Sequence, residues 1–134
     1  LRVDNFGGEA LTNPKVLEYL DKLVEAGVSQ NITLYFNTNA STVPNEKWWT
    51  TLSKFKVLDF QLSLDGVKEQ FEYQRYPARW KDIEDFRKWI YQRSKEMPIL
   101  IGIMMIGNMI CLTVMCWMLI DSFMIGSLPV LNFI

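Results

Sequence analysis

Residues 57–64 (VLDFQLSL) alternate strictly, with Leu58, Phe60, Leu62 and Leu64 on one side and Asp59, Gln61 and Ser63 on the other. Successive residues of a strand face opposite sides of its sheet, so this period of two predicts a strand with one apolar and one polar face. A strand covered by helices on both faces reads almost continuously apolar. The polar second face therefore predicts a barrel or half-barrel whose interior is wet and binds a ligand.

Helical and strand-like runs take turns over the first 96 residues. Residues 1–6 read as the end of a strand, and residues 31–37 (NITLYFN), β-branched and aromatic, as the next one. Between them Asn13-Pro14 supplies a cap and a first-turn proline, Val16, Leu17, Leu20, Leu23 and Val24 form one apolar stripe, and Gly27 ends the helix. A second helix begins near Asn45 and packs through Trp48, Trp49, Leu52 and Phe55; a third covers residues 80–95 with a stripe of Trp80, Ile83, Phe86 and Ile90. Residues 99–103 sit where a further strand belongs. Strands alternating with helices predict βα units on a parallel sheet, an α/β fold.

Composition narrows the chemistry. The 134 residues suit one domain, and 14 Lys+Arg against 15 Asp+Glu leave a formal charge of -1, so no basic excess points to nucleic acid. Histidine is absent, which removes Ser-His-Asp and Cys-His triads, His-ligated zinc and imidazole acid/base work. Cys111 and Cys116 are too few for a disulfide framework, their spacing fits no common metal pair, and both read as buried thiols.

A break in composition divides the chain. Of the charged residues, 28 of 29 precede Met97, whereas all seven Met lie from Met97 onward. This predicts a βα core over residues 1–106 and an apolar tail over 107–134. Residues 98–120 carry no charge for 23 positions, long enough to cross a hydrocarbon core of about 30 Å. The tail has three readings: a strand continuing into a buried end, a membrane span, or a degenerate terminus. The first is favoured because residues 99–103 are β-branched and in strand position. In the second, Arg87, Lys88, Arg93 and Lys95 would keep the N-terminal part cytoplasmic.

Loops after the strand C-termini of parallel βα folds share one rim, where ligands bind. Three such loops are polar here: Gly7-Gly8-Glu9, Asn37-Thr38-Asn39, and Ser63-Leu64-Asp65-Gly66 leading to Arg75. Gly7 and Gly8 leave carbonyls uncrowded beside the Glu9 carboxylate, suited to an ammonium group. Arg75, flanked by Tyr73 and Tyr76, offers a fork for a carboxylate. Singly, each loop also reads as an ordinary turn with solvated side chains. Their placement at three successive strand ends exceeds what turn chemistry requires.

The order F-G-G-E-A-L-T-N-P, N-T-N-A-S, Q-L-S-L-D-G-V-K and E-Y-Q-R resembles the radical S-adenosylmethionine superfamily, in its peptide-modifying branch with SPASM or twitch-type cluster domains. The resemblance covers roughly residues 3–103. It implies a partial (βα) barrel, truncated at its N-terminal side, that binds S-adenosylmethionine through Gly7, Gly8, Glu9, Asn37, Thr38, Asn39, Ser63, Asp65 and Arg75. The complete protein would carry a 4Fe-4S cluster, generate a 5'-deoxyadenosyl radical and modify a substrate, a peptide in that branch. Two departures stand out. The family's three-cysteine cluster loop is absent, so this chain supplies no ligands for the cluster and is expected to be inactive alone, and Ala10 stands where the family usually has Pro. The competing classes are a non-catalytic α/β ligand-binding module and a protein anchored through residues 98–120.

Overall fold

Four apolar runs become strands because their β-branched and aromatic residues pack well on a pleated surface. A computed structural model describes residues 1–5 and 9–104. The strands are β1 (Arg2–Asn5), β2 (Thr33–Thr38), β3 (Val57–Ser63) and β4 (Ile99–Met104), with α1 (Pro14–Glu25), α2 (Glu46–Leu52), α3 (Glu69–Gln74) and α4 (Trp80–Arg93) between them. Gly7, Gly8, Cys111, Cys116 and the 107–134 tail lie outside the described residues.

All strand pairs are parallel, in the order β1-β2-β3-β4, so the predicted α/β class with a parallel sheet holds. Sequential order combined with right-handed crossovers sends every connecting helix to the same side. The core agrees: Leu34, Phe36, Leu58, Phe60, Leu62 and Ile101 from the sheet form one buried cluster with Leu20 of α1, Leu52 of α2 and Phe86 of α4. The opposite face carries Tyr35, Asn37, Asp59, Gln61 and Ser63, each half-buried, as the alternation requires.

Local signals explain the helix ends. The Asn13 side chain accepts from the Lys15 N–H with Pro14 at the first helical position, and Gly27 takes φ +71 just past α1, a conformation glycine adopts freely. Asn45 caps α2 by accepting from the Trp48 N–H at 3.2 Å. At the far end of the helical layer the Arg93 guanidinium lies 4.8 Å from the Trp49 ring centroid and pairs with Glu46 and Glu96, joining the last turn of α4 to the first of α2.

The uncharged stretch begins as part of the sheet: Ile99–Met104 is β4, paired with β3 from Leu58↔Ile99 to Ser63↔Met104. Among the described residues no helix is long and apolar enough to cross a membrane.

Candidate functional site

The three polar loops meet at the C-terminal rim, the first joined to the second, the second to the third, and the third closed on itself. Glu9 precedes a single 3-10 turn, Ala10–Thr12, whose Thr12 hydroxyl donates to the Glu9 carbonyl at 2.9 Å. This turn fixes the Glu9 backbone and sends its carboxylate toward β2. There the Thr38 hydroxyl donates to Oε1 at 2.7 Å and the Asn39 N–H to Oε2 at 3.3 Å. Thr38 is buried, and its oxygen accepts in turn from the Ala40 N–H at 3.0 Å. Ala40 bends the loop with φ 56, in the left-handed region that non-glycine residues rarely visit. That bend turns the Asn39 N–H onto Glu9.

Asn39 enters the site through its backbone. Its side-chain oxygen accepts from the Ser41 N–H at 2.9 Å and the Ser41 hydroxyl at 2.6 Å, the local turn pairing expected of an Asn in a loop. Asn37 faces the other way, onto the polar side of the sheet, where its oxygen accepts from the Ser63 hydroxyl at 2.8 Å. This bond crosses from β2 to β3 and fixes both side chains.

The third loop is built around close approach. A Cβ on Gly66 would sit 3.0 Å from the Phe71 N and 2.9 Å from the Gln70 Cγ, so the chain passes tightly against α3. Arg75, just after α3, returns its guanidinium to Asp65, with Nε and one terminal nitrogen each 2.5 Å from Oδ2. The charged fork expected to meet a ligand carboxylate thus already holds a protein carboxylate. Tyr73 and Tyr76, on either side of it, are 88% and 87% exposed and leave the site to the other loops. The connection to α4 is secured by the Phe71 and Trp80 rings, whose centroids are 5.8 Å apart, and by the Trp80 N–H donating to Glu72 at 2.8 Å.

The structure therefore unites Glu9 with Thr38 and Asn39, Asn37 with Ser63, and Asp65 with Arg75. Gly7 and Gly8 lie outside the described residues. Two further groups share the polar face and were absent from the sequence-based site. Gln61, the register partner of both Asn37 and Gly102, lies over the latter. The alternation of β3 had placed it on this face, but its partners depend on the register with β4.

Toward the opposite end of the face Arg2 lies 4.2 Å from the Tyr35 ring centroid, 2.5 Å from Asp4 and 3.9 Å from Asp59. Burial raises the Asp59 carboxyl above its ordinary 3.8, Arg2 lowering it and Asp4 raising it by lesser amounts. Burial likewise raises the Tyr35 phenol. A carboxyl whose pKa is higher folded than unfolded favours the protonated native state, so its contribution is present below the unfolded pKa and lost as pH rises through the folded one. Asp59→Asn is accordingly expected to melt above the wild type at pH 7, with the difference shrinking as pH falls toward 3.8 and below. Thermal unfolding across that range checks this, and an Asn variant equally or less stable at pH 7 would contradict the burial penalty.

Among the described residues no three His, Cys, Asp or Glu side chains converge to hold a metal ion. Compared with known families and curated proteins, the chain matches no family model and no curated sequence.

Proposed function

We propose that this chain is the cofactor-binding part of a radical S-adenosylmethionine enzyme, its sheet forming an arc of a partial (βα) barrel. The observation that carries this reading is the succession of polar contacts at the C-terminal ends of β1, β2 and β3, beside a sheet face left polar while the described helices pack on the other. S-adenosylmethionine presents an ammonium, a carboxylate and a ribose close together. The donor set suits these groups: Glu9, steadied by Thr38 and Asn39, offers negative charge to the ammonium, and Asn37 and Ser63 offer neutral hydrogen bonds. Asp65 and Arg75 hold the third loop at the rim; Asp65 can accept from a ribose hydroxyl and Arg75 can donate to the ribose or the carboxylate. When bound, the cofactor supplies an activated sulfonium. The chain's own residues bind and orient it.

An iron-sulfur cluster does not fit the described residues, because no thiolate group among them could hold one. No redox step is assigned to them. Anaerobic iron and sulfide reconstitution of this chain should leave it essentially colourless, since its two cysteines fall short of the three thiolates a site-differentiated 4Fe-4S cluster needs. A stoichiometric cluster absorbance lost on replacing both cysteines would refute this.

A second reading, a non-catalytic α/β ligand-binding module, uses the same rim. Equilibrium titration of this chain with S-adenosylmethionine tests the shared premise: saturable one-to-one binding is expected, and its absence removes the cofactor assignment. A peptide substrate remains part of the enzyme reading and would approach the polar face.

A further inference from the structure

A second cluster occupies the far end of the polar face, away from the rim. Asp4, Tyr35 and Asp59 are register partners across β1, β2 and β3, so their side chains stand in one row, on strands about 4.8 Å apart. Arg2, two residues before Asp4 on the same strand, lays its guanidinium over this row. It lies 4.2 Å from the Tyr35 ring centroid, 2.5 Å from Asp4 and 3.9 Å from Asp59. A ring beneath and a carboxylate on each side suit a flat, delocalised cation.

The row is one cation short. Two carboxylates face one guanidinium, which is hydrogen-bonded to Asp4, and at 3.9 Å Asp59 is beyond hydrogen-bond reach of it. Among the described residues Asp59 accepts no hydrogen bond, although its side chain is only 22% exposed. Burial raises its pKa for the same reason, and the fold would be steadier with an amide in its place. A half-buried carboxylate that its own protein leaves unmatched points to a cationic ligand group. Arg2 is weakly held by comparison: its side chain is 51% exposed, and ion pairs at such exposure contribute little.

We propose that Tyr35 and Asp59 form a subsite for an arginine side chain of a peptide partner, with Arg2 as its resident competitor. The incoming guanidinium takes the place of Arg2 over the ring and pairs with Asp59, while Arg2 keeps Asp4, so that two cations then match two carboxylates. The occupant is read from the chain itself, since the group already seated there is an arginine carried on an extended backbone. A guanidinium fits better than an ammonium because it stacks flat on a ring while its edge donates to a carboxylate. The subsite goes beyond the S-adenosylmethionine reading and does not depend on it: Asp59 and Ser63 are four residues apart on β3, about 13 Å along the strand.

The test is an NMR titration of this chain with N-acetyl-arginine amide and its neutral isostere N-acetyl-citrulline amide, read at the backbone amides of Tyr35 and Asp59, with no S-adenosylmethionine present. The arginine compound should shift both signals saturably and the citrulline compound neither. Arg2→Ala vacates the ring and should bind the arginine compound about threefold more tightly or better. Asp59→Asn should bind it about tenfold more weakly while melting above the wild type, a combination that misfolding does not produce. The subsite is overturned if the arginine compound binds Arg2→Ala no more tightly than the wild type, if citrulline binds as well as arginine, or if a folded Asp59→Asn protein keeps wild-type affinity. Equal affinity for N-acetyl-lysine amide would overturn the guanidinium assignment, because an ammonium has no flat face to stack. Each of these results leaves the cofactor reading to its own titration.

Discussion

Phe60→Ala is expected to cost about 3–5 kcal/mol of stability, the range for emptying a large aromatic site in a core that relaxes only partly. Phe60 is fully buried on the central strand β3. Its ring is 5.5 Å from Phe36, stacked, and meets Phe86 edge-on at 5.7 Å and Trp89 at 6.2 Å. Removing it loses the buried area and three aromatic contacts together, each adding about 0.5–1.5 kcal/mol beyond area. Domains of this size have roughly 5–15 kcal/mol to lose, so the variant should unfold at a much lower urea concentration than the wild type. A loss below about 1 kcal/mol would mean that the joint between sheet and α4 is not where the fold is held. The consequence reaches the candidate site. Phe36 and Phe60 alternate along their strands with Asn37 and Gln61, so the contacts that align the two aromatic rings also align the polar face behind them.

That coupling explains what was legible from sequence. Strict alternation in β3 fixed which residues face the core: Leu58, Phe60, Leu62 and Leu64 are buried, and Asp59, Gln61 and Ser63 are not. Asn13-Pro14 and Asn45 marked helix starts because capping depends on neighbours within one turn. The six-residue α3 escaped, being too short for a helical period to emerge. In α4 the stripe included Trp80, which is only partly covered, and omitted Trp89, which packs against Phe60, because the edge of a helical stripe is set by what lies opposite. The site divides in the same way. Strand-end placement followed from βα topology, whereas pairing did not: Arg75 meets Asp65 within its own loop, and Asn39 acts through its backbone because Ala40 takes a left-handed φ. A backbone bend is not written in residue spacing, and the position of Gln61 over Gly102 needs the register of β4, which only the folded sheet supplies.

Glu9→Gln should weaken S-adenosylmethionine binding by about thirtyfold or more, which is about 2 kcal/mol or above, because it removes the one negative charge the β1 loop offers the ligand ammonium. The substitution separates charge from scaffolding. A glutamine oxygen can still accept from the Thr38 hydroxyl, now 2.7 Å from the Glu9 carboxylate, so the junction of the first and second loops keeps its strongest hydrogen bond. Only the longer contact from the Asn39 N–H, at 3.3 Å, faces replacement by a donor. Stability should consequently fall by no more than about 1 kcal/mol, the net value of one ordinary hydrogen bond. Lys22→Ala serves as the matched control: its ammonium pairs with Glu18 at 3.0 Å on the exposed side of α1, and its loss should change neither binding nor fold. Calorimetric titration of the three proteins side by side, with urea unfolding of each, measures both effects. Wild-type affinity in a folded Glu9→Gln protein would detach the ammonium from this loop. A large loss of stability with unchanged affinity per folded molecule would make Glu9 a strut between β1 and β2, since a charge that merely braces two loops has no reason to discriminate a cationic ligand.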